Sequence, residues 1–217
     1  VWHTLAPPPP IPAPQDSPIF NFHDNLWFNH IIPSLDDTTA RNFSSTCREA
    51  LIIYDKMKIP QHFHNHVGTD GSTDPTTGLV GAAVAGQYLT GPWTWRFKIP
   101  GTQSNPRAEG FAILAALLLT PLNQPLDIWT DSKSTIDALD TIEKAEHAKM
   151  NITRVGRSLA NFSILAAIRC CISQRTCRGT PTKIKWVRAH PANGPSTGPE
   201  HLNDQADKAA NAARLGD

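Results

Sequence analysis

The sequence predicts an α/β domain built on a mixed five-stranded sheet with helices on both faces, preceded by a proline-rich linker and a short helical segment. Three strand-like segments come first, separated by short turns that contain glycine. Helix-like and strand-like periodicities then alternate to the end of the chain, in the order β-β-β-α-β-α-α-β-α. Hairpins followed by βα units indicate three antiparallel strands and then parallel ones.

Residues 1–62 are predicted to be separate from the main domain, which spans residues 63–217. The run at 5–18, LAPPPPIPAPQDSP, is typical of an extended spacer, and a docking ligand for an SH3-like partner is the alternative. Helical spacing from Asp36 to Tyr54 predicts a short helix. We expect this segment to be a small docking module or the tail of an upstream domain.

Each element of the main domain follows from its local pattern. The first three strands are expected at 67–70, 79–89 and 93–99. The helix that follows is hydrophobic on every side, which predicts that it is buried. A later helix is expected to be capped by Ser132, and one long helix follows it. The bounds expected after the third strand are 108–119 (helix), 126–130 (strand), 132 to about 145 (helix), 153–177 (helix), 182–188 (strand) and 202–215 (helix).

Composition narrows the class of protein. With a formal net charge of +1, the chain is not a strongly basic nucleic-acid binder, although a local basic face is compatible with this value. The four cysteines show no CxxC spacing, and the adjacent Cys170 and Cys171 are poorly placed for a disulfide, which predicts reduced thiols and an intracellular protein of the cytoplasm or nucleus. No apolar run reaches the roughly 18 residues of a membrane span. The start at Val1, without a basic and apolar leader, is typical of a fragment of a longer protein whose targeting signal is not visible.

Four acidic residues lie in separate local frames. Asp70 is expected at a strand end before a glycine turn, Glu109 opens the apolar helix, Asp131 follows a buried strand, and Asp207 lies on the last helix. Taken alone, Asp70 could be a turn residue, Asp131 could begin a helix, and Asp207 could be an exposed residue of a surface helix. Glu109 is different, because a carboxylate that opens so apolar a helix should face a polar or ionic group. Together the four side chains can converge on one metal-binding point.

Clustered carboxylates suit phosphodiester hydrolysis. The reaction needs an activated water and a stabilised leaving oxygen, and two Mg²⁺ ions about 3.5–4 Å apart provide both. Mg²⁺ prefers hard carboxylate oxygens, and Mn²⁺ can substitute for it. Without metal the acids repel one another and hold protons more tightly, and bound cations reverse this effect.

The four motifs TDGS, NPRAE, TDS and NDQAD, together with the element order, make residues 67–215 resemble a type I ribonuclease H domain, of the kind attached to reverse transcriptases of retrotransposons. The resemblance implies an RNase H-like fold and an endonuclease that hydrolyses the RNA strand of RNA/DNA hybrids with two Mg²⁺ ions, leaving 3′-hydroxyl and 5′-phosphate ends. It makes Asp70 the ligand shared by both ions. Glu109 and Asp131 would bind the ion on the nucleophile side, and Asp207 would complete the shell of the other.

The resemblance also implies substrate-binding residues and a catalytic histidine. His190 matches a mobile histidine that assists proton transfer or product release, although a surface-loop histidine is the alternative and His201 is a rival. Pro106 stands where the family has a polar residue, so one base or sugar contact is expected to be absent. The matched substrate-binding positions are Gly71, Ser72, Ser104, Asn105, Arg107 and Asn203.

The distribution of basic residues bears on how the domain would hold a nucleic acid. Residues 132–180 contain five arginines but no tryptophan and no dense lysine run. This composition predicts modest, salt-sensitive binding of the hybrid and favours an attached reverse transcriptase within a retroelement polyprotein.

The alternative function is that of a domesticated, non-catalytic domain acting as a scaffold in a ribonucleoprotein, with residues 1–62 docking a partner. A transposase or integrase of related fold fits less well, because it expects a glutamate on a late helix and lacks the Arg107-Ala108-Glu109 helix opening. His62, His64 and His66 alternate as metal ligands could, but an exposed strand lead-in is favoured.

Overall fold

The computed structural model describes residues 66–88, 91–99, 103–120, 124–156, 158–189 and 198–215. Within these ranges the chain forms the five predicted strands and five helices, one helix more than predicted. The strands are β1 (His66–Thr73), β2 (Val80–Tyr88), β3 (Gly91–Lys98), β4 (Leu126–Thr130) and β5 (Thr182–Trp186). The helices are α1 (Asn105–Leu119), α2 (Lys133–His147), α3 (Ile152–Gly156), α4 (Phe162–Cys177) and α5 (Pro199–Leu215).

The strands form one sheet in the order β3-β2-β1-β4-β5. The β1/β2 and β2/β3 pairs are antiparallel, whereas β1/β4 and β4/β5 are parallel. Short turns suffice for the antiparallel pairs, and the helices supply the longer crossovers that parallel pairing requires. The predicted mixed sheet is confirmed.

Two glycines of β1 let helices approach the central strand from opposite faces. A Cβ at Gly68 would lie 2.3 Å from the carbonyl carbon of Leu202 in α5, and a Cβ at Gly71 would lie 2.6 Å from the backbone nitrogen of Glu109 in α1. Positions 68 and 71 point to different faces because side chains alternate along a strand. Helices on both faces, as predicted, are therefore held directly against β1.

Helix α1 forms the centre of the core. Every residue from Arg107 to Leu118 is buried, which confirms the prediction from its hydrophobic surface. The helix packs between the sheet and α4, and burying each large aliphatic or aromatic side chain contributes about 1.5–3 kcal/mol. Its fully buried large side chains are Phe111, Ile113, Leu114, Leu117 and Leu118.

The glycine turn expected directly after Asp70 is wrong. Strand β1 continues to Thr73, and its ladder pairs Asp70 with Ala83 and Gly71 with Ala82. The turn comes later, where the Asp74 carboxylate accepts a 2.8 Å hydrogen bond from the backbone nitrogen of Thr76. Gly71 serves the close approach of α1 instead, so Asp70 projects from the middle of a strand.

The long helix predicted over 153–177 is also wrong, because the structure has α3 and α4 in its place. Asn161, which precedes α4, adopts a left-handed φ of 58°, a conformation that interrupts a helix and that asparagine tolerates. A Cβ at Gly156 would lie only 2.4 Å from the ring of Phe162, so the ring packs closely against the end of α3. The chain therefore bends sharply between the two helices.

Strand β4 matches its predicted bounds, and the other predicted bounds shift by a few residues. Helices α1 and α5 each begin three residues earlier than expected, and β5 ends at Trp186. Ser132 directly precedes α2 but does not cap a backbone N–H. Its hydroxyl instead pairs with that of Thr135 at 2.8 Å.

Two of the arginines counted as possible phosphate contacts serve the fold. Arg175 is fully buried and donates to the carbonyls of Thr120 and Gln124, at 3.2 and 2.6 Å. Its Nε also donates to the Thr182 hydroxyl at 2.9 Å. Burial lowers the pKa of Arg175 to about 10, which leaves it charged at neutral pH. Arg169 bonds to Glu146 at 2.6 Å.

Several predictions fall outside the described residues, namely the linker and helix of residues 1–62, His62, His64 and His190. The domain boundary near residue 63 stays a prediction. Cys170, Cys171 and Cys177 are free thiols, and Cys47 lies outside the described part. None of the helices in the described part is long and apolar enough to cross a membrane.

Candidate active site

Three carboxylates meet beside the central strands. Asp70 comes from β1, Glu109 from the first turns of α1, and Asp131 from the residue after β4. Each offers one oxygen, and these oxygens lie within 4.8 Å of one another. Thr69 of β1 pairs with Thr130 of β4 in parallel register, so the residue that follows each threonine is an aspartate at the same level. The cluster therefore follows from strand register and from the close approach of α1.

Asp207 adjoins this cluster from the last helix. It lies on α5, and its charge raises the pKa values of both Asp70 and Glu109. It is not among the three residues whose oxygens lie within 4.8 Å of one another. Of the four predicted acids, the structure thus brings three together and holds the fourth close enough to act on them electrostatically.

The cluster binds protons tightly when no cation balances it. Asp70 is only 5% exposed, and its burial is the main reason that its pKa rises to about 10, followed by the charges of Glu109, Asp131 and Asp207. Burial and the charge of Asp131 also raise the pKa of Glu109 well above its ordinary value. Hydrogen bonds from the backbone of Gly71 and from Asn105 oppose the second shift. A cation would reverse both shifts, because it favours the charged carboxylates.

The donor atoms fit a hard divalent cation. Glu109 Oε2 is buried without a hydrogen-bond partner, which costs about 1–3 kcal/mol or more for a polar atom that nothing compensates. The clustered ligand atoms are all carboxylate oxygens. This donor set suits Mg²⁺ or Mn²⁺ rather than the softer metals that select cysteine or histidine. Asp70, Glu109 and Asp131 are therefore the residues that could hold the ion.

Asn105 orients the glutamate at the start of α1. Its side-chain nitrogen donates to Glu109 Oε1 at 3.4 Å, and its oxygen accepts from the Thr73 hydroxyl at 3.2 Å. Asn105 is exposed, whereas Ser104, which precedes the helix, is half-buried. Both residues lie at the accessible end of α1, as the predicted substrate contacts require.

Three other predicted substrate contacts point inward. Arg107 is 8% exposed and lies over the ring of Phe111, with its Cζ 5.1 Å from the ring centroid. Asn203 is 4% exposed and donates to the carbonyl of Thr69 at 3.0 Å, which anchors α5 to β1. The buried hydroxyl of Ser72 donates to Asn211 Oδ1 at 2.6 Å. These contacts hold the site together from within.

The sequence interpretation missed two residues beside the acids. Asn211 Nδ2 donates to Asp207 Oδ1 at 2.9 Å, and the spacing of four residues on a helix could have indicated this pair. Trp186 is 52% exposed, and its indole nitrogen donates to the backbone oxygen of Asp131 at 3.2 Å. No local pattern connects Trp186 to Asp131, because the two residues are 55 positions apart.

Similarity to known proteins agrees with this architecture. The foamy viral protease-reverse transcriptase, solved in complex with dsDNA, is 16% identical, with 72% of this chain and 97% of that chain covered and a TM-score of 0.51. The RNase H domain of PFV, solved in solution, is 19% identical, with 71% of this chain and 96% of that chain covered and a TM-score of 0.50. At these identities the likeness shows the fold alone.

No curated protein sequence matches the chain. The family model for RNase H, however, matches residues 64–214, which include all four predicted acids and every strand and helix described above except the last residue of α5. The chain therefore belongs to the RNase H family.

Proposed function

We propose that this protein is a divalent-metal-dependent endonuclease that hydrolyses the RNA strand of RNA/DNA hybrids. The observation that carries the proposal is the meeting of Asp70, Glu109 and Asp131 within 4.8 Å in a member of the RNase H family. Three buried or half-buried acids in mutual contact are costly without a counter-charge. Their retention at one point is best explained by a bound cation.

Two Mg²⁺ ions, when bound, would activate the attacking water and neutralise charge on the scissile phosphate and the leaving oxygen. We propose that Asp70 is shared between them, that Glu109 and Asp131 serve the nucleophile side, and that Asp207 serves the other side. Asn105 would keep Glu109 Oε1 in a fixed direction, because it donates to that oxygen. Trp186 would fix the backbone of Asp131 in the same way.

Substrate recognition is proposed to involve the exposed end of α1. Ser104 and Asn105 can reach a nucleic acid there, and backbone groups at Gly71 lie beside the acids. Contacts to 2′-hydroxyls would distinguish RNA from DNA. The inward contacts of Ser72, Arg107 and Asn203 favour a supporting role for these three. His190 is proposed, from the family resemblance alone, to assist proton transfer or product release.

We also propose that the domain acts beside a reverse transcriptase in a retroelement polyprotein, inside the cell. Fold similarity to a protein that carries a reverse transcriptase supports this context. The free thiols suit a reducing compartment inside the cell. Residues 1–62 would then lie toward the upstream domain or a protein partner.

Cleavage of an end-labelled RNA/DNA hybrid tests the proposed activity. The wild-type chain should cut the RNA strand with Mg²⁺ or Mn²⁺ and not with EDTA. Asp70→Asn should lower the rate by more than about 100-fold, because even the partners of metal ligands are worth roughly 10–100-fold. Asp137→Asn is the matched control, since Asp137 is an exposed acid paired with Lys133 on α2.

The same assay tests the alternative of a non-catalytic scaffold. If folded wild-type protein binds the hybrid but leaves both strands intact at every concentration of protein and metal, the enzyme proposal is wrong. Cleavage that persists unchanged in Asp70→Asn would reject the assigned site while keeping the activity.

A further inference from the structure

A chain of two hydrogen bonds connects β1 to Asp207. Ser72, two residues after Asp70, donates through its hydroxyl to Asn211 Oδ1 at 2.6 Å. Asn211 in turn donates through Nδ2 to Asp207 Oδ1 at 2.9 Å. Ser72 is buried and Asn211 is half-buried, so the connection is partly shielded from water. It joins a strand and a helix through residues 139 positions apart.

The direction of this chain is fixed by chemistry. An ionised aspartate accepts hydrogen bonds and donates none, so the asparagine must turn its NH₂ group toward Asp207. The asparagine oxygen then faces away and needs a donor, which the Ser72 hydroxyl supplies. The proton of Ser72 is thereby directed inward. This arrangement explains why Ser72 serves the site from within rather than offering its hydroxyl to a substrate.

The backbone contacts of α5 do not by themselves orient the Asp207 side chain. The helix packs on the sheet through small residues: a Cβ at Gly81 would lie 2.3 Å from the Ala210 oxygen, and Ala83 packs with Ala209 and Ala210. Such contacts set the height of the helix above the sheet. Asp207 is half-buried, and the direction of its carboxylate depends on bonds such as the one from Asn211.

We propose that Asn211, supported by Ser72, is a positioning residue that holds the carboxylate of Asp207 ready for a divalent cation at the acidic cluster. The inference rests on the proposed function, because it takes Asp207 as a metal ligand. Partners of this kind orient a ligand before the metal arrives, and their loss typically weakens metal affinity about 10- to 100-fold.

Mn²⁺ affinity of the full chain, measured by electron paramagnetic resonance without nucleic acid, tests this role. Asn211→Leu keeps the side-chain size and removes both hydrogen bonds, so the Kd for Mn²⁺ should rise about tenfold. Gln174→Leu makes the same kind of change at an i,i+4 contact on α4 and should leave the Kd unchanged. An Asn211→Leu protein that folds and binds Mn²⁺ as tightly as the wild type would overturn the proposal.

A double-mutant cycle separates positioning from a general structural effect. In an Asp207→Asn background, Asn211→Leu should cause no further loss of Mn²⁺ affinity, because the carboxylate that it positions is gone. Equal losses in both backgrounds would overturn the proposal. If Asn211→Leu does not fold, Ser72→Ala takes its place, with a smaller increase in Kd expected in the wild-type background only.

The outcome for the proposed function is read separately. Cleavage by Asn211→Leu should require more Mg²⁺ and recover at saturating Mg²⁺, which a purely structural defect would not do. If the wild type binds Mn²⁺ with the predicted dependence on Asn211 but cuts no hybrid, the proposed activity fails and the positioning role stands. If the wild type cuts hybrids and Asn211→Leu needs no additional metal, the positioning role alone fails.

Discussion

The carboxyl group of Asp70 holds its proton far more tightly than an aspartate in water. Burial among three other acids raises its pKa from an ordinary 3.8 to about 10. At the scale of single residues, ionising Asp70 is unfavourable because the carboxyl group is buried and three other acidic groups lie nearby. A divalent cation offsets this cost. Without a cation, the raised pKa should appear in the pH dependence of stability, which can be measured without any substrate.

The first prediction concerns the pH dependence of stability in EDTA. An unfolded chain releases the Asp70 proton near 3.8, whereas the folded protein keeps it until about 10, so the unfolded state loses protons first. The free energy of unfolding should therefore fall as the pH rises from about 4 toward 10. Urea unfolding at several pH values, followed by circular dichroism, measures this slope.

Asp70→Asn should flatten that slope. At pH 7 in EDTA the variant should be more stable than the wild type by roughly 0.5–3 kcal/mol, because Asp70 must take up a proton when the chain folds and the neutral asparagine need not. Asp137→Asn, on the exposed face of α2, should keep the wild-type slope. Stability that rises with pH in the metal-free wild type would contradict the electrostatic description of the site.

Individual contacts between distant residues are the part of the site that sequence reasoning could not reach. The four acids were predicted because each lies in a recognisable local frame. Ser72 and Asn203 were expected to face the substrate, yet they bond to partners 139 and 134 positions away. Side-chain direction at such positions depends on which helix covers the strand, and no local pattern encodes that choice.

At the scale of elements, the position of Glu109 depends on how closely α1 approaches β1. Gly71→Ala should place a methyl group 2.6 Å from the backbone nitrogen of Glu109, which the backbone cannot relieve by a rotamer change. We expect a loss of stability of about 2 kcal/mol or more, as for an overpacked core, together with weaker Mn²⁺ binding. Thermal unfolding and Mn²⁺ titration measure the two effects.

Gly78→Ala is the matched control for that substitution. Its Cβ would meet nothing within 4 Å, but its positive φ of 69° should cost about 1 kcal/mol. Metal affinity should be unchanged, because the turn lies away from the acids. A Gly71→Ala protein with wild-type stability and metal affinity would show that α1 can move without disturbing the site.

Arg175 of α4 bonds to residues in three other parts of the chain, at the end of α1, before β4 and in β5. Arg175→Met should leave one buried carbonyl, one half-buried carbonyl and one hydroxyl without their donors and should lower stability by about 3 kcal/mol or more. Arg178→Met, at an exposed position just beyond α4, should stay within about 0.5 kcal/mol of the wild type. Chemical unfolding measures both variants, and equal stability of the two would contradict the structural role of Arg175.

The strands and helices themselves were largely predictable, because most have a clear hydrophobic periodicity and residues that mark where the element ends. Strand β4 matches its predicted bounds, and the buried α1 was recognised from its uniform hydrophobicity. The break between α3 and α4 was not recognised, since helical spacing continues across it. Asn161 produces the break with a left-handed backbone, which many asparagines do not adopt.

At the scale of the whole molecule, the 20 lysines and arginines are nearly balanced by 19 acidic residues. The chain has a formal net charge of +1. Within the described part, several basic side chains already engage acidic or backbone groups, namely Lys133, Arg169, Arg175, Lys185 and Lys208. Binding that relies on phosphate neutralisation should therefore involve a small number of contacts.

The salt dependence of hybrid binding tests this expectation. Each neutralised phosphate contributes a slope of about −0.9 to a plot of log K against log salt concentration, so fewer than about four contacts should give a slope shallower than about −4. Affinity measured by fluorescence anisotropy, with Ca²⁺ in place of Mg²⁺ to prevent cleavage, should fall far less between 50 and 200 mM salt than the roughly 10³-fold typical of six contacts. A slope of about −6 or steeper would contradict the prediction. A shallow slope with weak binding is what a nuclease domain needs if an attached partner holds its substrate, because the domain then contributes selection and cleavage rather than grip.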